Sequence, residues 1–156
     1  MPSQRRDGRE AALQFLFSHE LNSVDDLNAA LTSCWDLRKI GRGSRAFAEQ
    51  LVRGLAERRD EVDQILIEAL ENYQLNRLSA VDRNLLRLAV HELLFVDGTP
   101  DPVVLNEAIE IAKRFGGSDS ARFVNGVLDR ICREHTGSNS PQPESPVQPT
   151  PEQGPL

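Results

Sequence analysis

An all-α fold is what this sequence predicts, and three observations carry the prediction. Apolar residues recur at three- and four-residue spacing through most of the first 135 positions. No segment alternates apolar and polar residues between hairpin-type turns, as a half-buried strand would. Residues that start and stop helices fall where the periodic stretches begin and end.

The first stretch is "SQRRDGREAALQFLF" (3–17), with Ala12, Leu13, Leu16, Phe17 and Leu21 at helical spacing. Asp7 followed by Glu10 resembles a capping box, which starts the helix at Asp7. Arg5 and Arg6 are then expected on a flexible arm, with only Arg9 in the first turn. That placement eases the conflict between positive charge and the positive end of the helix macrodipole. "VDDLNAALTSCW" (24–35) reads as a second, shorter helix. After the loop "GRGS" (41–44), Ser44 is placed to cap a long third helix. Its stripe is Phe47, Leu51, Leu55, Val62, Ile65, Leu66 and Ala69. A break near "NYQLNRL" (72–78) divides an N-terminal half, about 1–76, from a C-terminal half, about 77–135.

Ser79 and Asp82 resemble a second capping box, with Asp replacing the usual Glu or Gln. They open "AVDRNLLRLAVHELLFV" (80–96), where Leu85, Leu86, Leu88, Ala89, Val90, Leu93 and Leu94 predict burial on several sides. Glu92, inside this apolar helix, needs a partner if buried, and Arg87 is a loose candidate. "DGTPDP" ends the helix, and Asp101 with Pro102 reads as the N-cap and first residue of the next. That helix carries Val104, Leu105, Ala108, Ile109, Ile111, Ala112 and Phe115, and stops at Gly116 and Gly117. Ser118 or Asp119 caps the last helix, "SARFVNGVLDRICREH" (120–135). Residues 136–156, "TGSNSPQPESPVQPTPEQGPL", are Pro-rich and nearly free of apolar side chains, and are expected to be disordered.

Composition narrows the function. With 39% hydrophobic and 27% charged residues in 156, the chain suits a single globular domain with a polar appendage. No apolar run approaches the roughly 20 residues that span a bilayer, and no signal peptide follows Met1. A cytoplasmic protein without a membrane partner is expected. Cys34 and Cys132 read as separate reduced thiols, and His19, His91 and His135 do not cluster at metal-ligand spacing. No phosphate-binding, dinucleotide or nucleophile-elbow motif occurs, and no acid–base or nucleophile constellation is visible. No cofactor is implied, and an enzyme is disfavoured.

A formal charge of −6 excludes a nonspecific polycation, although local positive charge can still bind nucleic acid. Sixteen of the eighteen basic residues are arginine, the better side chain for forked phosphate contacts. Genomic composition produces the same bias. Two stretches stand out. Arg5, Arg6 and Arg9 against Asp7 and Glu10 leave a local charge of +1. In "GGSDSARFVNGVL" (116–128), Arg122 and Phe123 put a cation and a ring at a helix start, where backbone N–H groups favour phosphate and an exposed ring can stack a base. The competing reading puts Phe123 in the core with Val127 and Ile131. Gly126, costing about 1 kcal/mol against Ala, would then allow close helix packing.

Four pieces in order, "RRDGREAALQFLF" (5–17), "DRNLLRLAVHEL" (82–93), "LNEAIEIAKRFG" (105–116) and "FVNGVLDRI" (123–131), resemble the bacterial antitermination factor family NusB. The resemblance implies two small helical bundles packed together over residues 1–135. It also implies a factor that binds the boxA sequence in the leader RNA of ribosomal RNA operons. The family acts with NusE, a small-subunit ribosomal protein, to keep RNA polymerase from terminating early. A homodimer is compatible with it, since some relatives self-associate. Carried over by motif, Arg5, Arg6 and Arg9 fall in the arginine-rich RNA segment, Phe17 holds an aromatic position there, and Arg122 and Phe123 lie at the RNA-facing corner. Asp82, Arg87 and Asp119 are weaker candidates for the RNA or NusE surface.

Family members often have a further basic residue and an alanine where this chain has Asp7 and Gly8. Asp7 lowers the local charge and Gly8 is expected to loosen the helix start, which makes RNA affinity depend more on NusE. Two other classes fit the same resemblance. One is the NusB-like accessory domain of an RNA cytosine methyltransferase, and the other is a helical protein–protein module without RNA contact.

Overall fold

In the computed structural model, which describes residues 4–20 and 26–136, every regular element is helical. They are α1 (Gln4–Ser18), α2 (Leu27–Leu37), α3 (Arg42–Ala69), a 3-10 turn (Leu75–Arg77), α4 (Ala80–Phe95), α5 (Asp101–Phe115) and α6 (Ser120–Ile131), closed by a π turn (Cys132–Thr136). The all-α expectation holds. The expected disordered tail lies, apart from Thr136, outside the described residues.

Local chemistry sets most of the boundaries. Asp26 caps α2 by accepting the Ala29 N–H at 3.1 Å. Ser79 caps α4 in the same way through the Asp82 N–H at 3.1 Å, as its capping pattern suggested. At α5 the expected cap shifts by one residue: Pro100 is the N-cap and Asp101 already opens the helix, with Pro102 in its first turn. The long helix begins at Arg42 behind Gly41, ahead of the expected Ser44, and bends at Arg58, whose φ of −116° and ψ of 17° leave the helical range. The break before α4 becomes the 3-10 turn.

One continuous core ties the helices together. Phe15 and Leu16 of α1, Leu51, Leu55 and Leu66 of α3, Leu86 and Val90 of α4, Ile111 of α5, and Leu128 and Ile131 of α6 are all nearly sealed from solvent. Helix α4 is buried over most of its length, as its several stripes predicted. It packs against α1, α3, α5 and α6. In α6 the core stripe is Val124, Val127, Leu128 and Ile131, so Phe123 sits half-buried at its edge.

Two glycine expectations are corrected by packing. Gly8 does not loosen the start of α1. It is buried against α3, where an added Cβ would lie 2.9 Å from Phe47 Cδ2 and 2.9 Å from the Ser44 carbonyl oxygen. Gly126 is exposed and meets nothing within 4 Å, so no helix packs on it.

Candidate nucleic-acid interface

Helix α1 starts at Gln4, not Asp7, so Arg5 and Arg6 belong to the helix and not to an arm ahead of it. The first turn of that helix faces other helices. Arg6 forks onto Glu107 of α5, Nε to Oε1 at 2.9 Å and Nη2 to Oε2 at 2.7 Å. Arg9 forks onto Glu92 of α4 at 2.8 and 2.5 Å, with both side chains almost fully buried. One turn further, Glu10 receives Arg114 of α5 at 3.0 Å. The Glu92 partner is therefore Arg9, and Arg87 does not supply it.

Only Arg5 of the three N-terminal arginines lacks a carboxylate partner among the described residues. It is exposed, with its guanidinium 4.7 Å from the Phe47 ring centroid and Nη1 3.3 Å from the Thr99 hydroxyl. Arg9 also leans over Phe47, at 5.2 Å. The electrostatics agree with the contacts. The Arg6 fork holds the Glu107 carboxyl below the usual carboxylate range against the opposing effect of burial, and Glu107 in turn raises Arg6.

The sixth helix supplies a different surface. Arg122 is exposed in its first turn with no ion pair or hydrogen bond among the described residues. Phe123 presents a half-buried ring whose centroid is 5.0 Å from that of Tyr73, edge to face. Tyr73 is itself 58% exposed, so the pair leaves ring area open to a stacking partner. The two rings, with Gly126, Arg122 and Arg130, border an open groove of about 270 Å³. The absent side chain at Gly126 leaves that groove unobstructed, which is what its exposed position does here. Across it, Arg130 grips Glu71 at 2.6 Å and lowers that carboxyl.

The remaining candidates separate. Phe17 is 57% exposed near the end of α1 and can offer its ring to a partner. Asp119 is exposed at the N-cap of α6, although its side chain makes no capping bond, and Asp82 is half-buried in the first turn of α4. Arg87 is not a surface cation. It is buried and held by Asp63 at 2.8 Å, Glu20 at 3.1 Å and the Asn84 side-chain oxygen Oδ1 at 3.2 Å. Burial pushes Glu20 up, and hydrogen bonds from Asn84, Arg83 and Arg87 outweigh it and hold the group low.

Sequence reasoning missed Tyr73, Phe47 and Glu107. Tyr73 carried a signal, because a lone tyrosine in a helix break has few core neighbours to cover it. Glu107 carried none, being one acidic residue among several on an amphipathic helix.

Comparison with known proteins gives a consistent picture. The model of the NusB family matches residues 6–133. The transcription antitermination protein NusB of Desulfosudis oleivorans is 39% identical over 145 residues, covering 92% of this chain and 94% of that protein. NusB of Bacillus licheniformis is 44% identical over 128 residues, covering 82% and 95%. Among solved structures, T. maritima NusB superposes with a TM-score of 0.77 at 42% identity, over 89% of this chain and 97% of that one. A complex of the antitermination factors NusB and NusE with double-stranded RNA matches in fold, with a TM-score of 0.76 at 24% identity over 86% and 100%.

Proposed function

The chain belongs to the NusB family, and from that premise we propose that it binds the boxA sequence of ribosomal RNA leader transcripts together with NusE. In this role it keeps RNA polymerase from terminating early. The observation that carries the reading is the match to antitermination proteins along nearly the whole chain, at about two residues in five identical. No catalytic step is assigned to it.

The geometry supports a division of labour among the residues. Arg5 and Arg122, the cations without carboxylate partners at the two candidate corners, contact phosphate. Phe123 with Tyr73, and Phe17 on α1, stack unpaired bases. Arg6 contributes through the exposed part of its fork. Arg9 holds α1 to α4 and leaves RNA contact to its neighbours. Asp119 and Asp82 border the surface offered to NusE. With two of three N-terminal arginines paired to carboxylates of the same chain, the RNA interface needs NusE to reach working affinity.

Filter binding of boxA RNA against scrambled RNA, with and without NusE, tests this. The expected result is a preference for boxA that NusE strengthens, and equal binding of both RNAs with NusE present would sink the reading. Arg122→Ala should flatten the plot of log K against log salt by roughly 0.7, the single-strand value for one phosphate contact.

A further inference from the structure

Positive charge left unmatched by the fold also collects where α1 and α3 begin. Residues 37–48, "LRKIGRGSRAFA", contain Arg38, Lys39, Arg42 and Arg45 and no acidic residue, in a chain whose net charge is −6. Among the described residues Arg38, Lys39 and Arg42 enter no ion pair, and Arg45 approaches Glu49 only to 4.0 Å. Several cations elsewhere are matched more closely, as with Arg59 to Asp63 at 3.4 Å and Arg83 to Glu20 at 3.0 Å. The Gln4 side chain lies directly against Gly43, and Arg5 stands over Phe47. The unmatched charge of the linker and that of α1 therefore adjoin. No acidic residue occupies the first turn of α3, so its macrodipole adds to the same field.

Folding gains no ion pair from Arg38, Lys39 or Arg42, and charges of one sign so near each other in the chain repel. The composition of this stretch says what would relieve the repulsion. Trp35 and Phe47 are buried, so the strip exposes no ring on which a base could stack. Leu37 is its one strongly exposed apolar side chain, too little for the centre of a protein interface, which covers about 800 Å² per partner. Guanidinium and ammonium groups without stacking rings suit a phosphodiester backbone, which they position without reading sequence.

We propose that Arg38, Lys39 and Arg42 at the α2–α3 junction, continuous with Arg5, form a second docking strip for the RNA backbone. It takes phosphates flanking the segment that is read at the stacking corner. This rests on the RNA-binding reading above, and the test separates the two.

The full chain with NusE is titrated with boxA RNA extended on both sides, across a range of salt. Replacing Arg38, Lys39 and Arg42 together with glutamine should flatten the log–log salt slope by about 2, at roughly 0.7 per phosphate. The preference for boxA over scrambled RNA should stay as in the unsubstituted chain. A second measurement needs no variant. Lys39 and Lys113 are the two lysines of the chain, and extended RNA should protect Lys39 but not Lys113 from acylation. An unchanged slope overturns the strip, and so does a Lys39 that reacts equally with and without RNA. Protection of Lys39 by NusE alone also overturns it, assigning the strip to an acidic protein face. If the unsubstituted chain shows no boxA preference, it is the functional reading that fails.

Discussion

At the start of α1, Arg6 and Arg9 are forked onto Glu107 and Glu92, whereas at the start of α6 Arg122 has no carboxylate partner among the described residues. Each region also has one glycine, and these too are used differently. Gly8 lets α1 press against α3, while Gly126 keeps a surface groove clear. A local count of arginines ranks α1 as the stronger cationic site. The folded protein levels them, leaving Arg5 at α1 and Arg122 at α6 without a carboxylate partner among the described residues, because the other two α1 charges are consumed as links between helices. What recommends a cation for phosphate is the absence of a carboxylate within reach, and not the number of neighbours of its own kind.

The largest expected effect tests the inward half of this contrast. Glu92→Ala strips the buried Arg9 guanidinium of its forked partner and leaves it only the longer 3.7 Å approach to Glu107, and should destabilise the fold by about 3 kcal/mol in urea unfolding. Replacing Arg9 and Glu92 together by Met and Leu should recover most of that loss, since removing both charges also removes their desolvation cost. A Glu92→Ala protein as stable as the unsubstituted chain would break the comparison at its root.

Next come the glycines. Gly8→Ala forces a methyl group into the Phe47 ring edge and the Ser44 carbonyl, and should cost about 1–3 kcal/mol. Gly126→Ala, entering open space within a helix, should instead raise stability by about 0.5–1 kcal/mol. Thermal unfolding of the two variants checks the opposite signs, and a shared sign would erase the distinction.

The smallest effect compares surface arginines. Arg6→Ala should lower stability by about 1 kcal/mol at neutral pH, because its partner is only partly screened by solvent. Arg122→Ala should stay within about 0.5 kcal/mol. The Arg6 contribution also carries a pH signature. Glu107 is held below its ordinary value of 4.5 in the folded state, so its stabilisation is complete above that pH and disappears as pH falls through the lowered folded value. The gap between Arg6→Ala and the unsubstituted protein should therefore close in acid, and a gap that persists at low pH would assign the loss to packing instead.

Much of the fold is legible in the order of residues along the chain. The cap of α4, the stop at Gly116, and the stripe Phe47, Leu51, Leu55, Val62, Leu66 and Ala69 follow from spacing along the chain, whereas the Asp26 cap of α2, equally local, is not singled out by the sequence reading. The candidate site is legible by residue but not by state. Phe123 fits either core or surface by its spacing, and only the position of Tyr73 settles it at the half-buried edge. Asp7 and Glu10 resemble a cap, yet Asp7 stands inside the first turn of α1, where its charge suits the macrodipole without starting the helix. Glu10 meanwhile turns to Arg114.

Sequence by itself determined the helical class, the order of the helices and most of the faces they bury, because those depend on spacing within one or two turns, whereas several helix starts moved by one to three residues. Tertiary structure alone decided which charges remain available. Arg9 meets Glu92 across 83 positions and Arg6 meets Glu107 across 101, and both pairs exist only because α4 and α5 pack beside α1. A guanidinium is drawn to whichever carboxylate the assembled core brings within about 3 Å, and no local pattern in the chain encodes that choice.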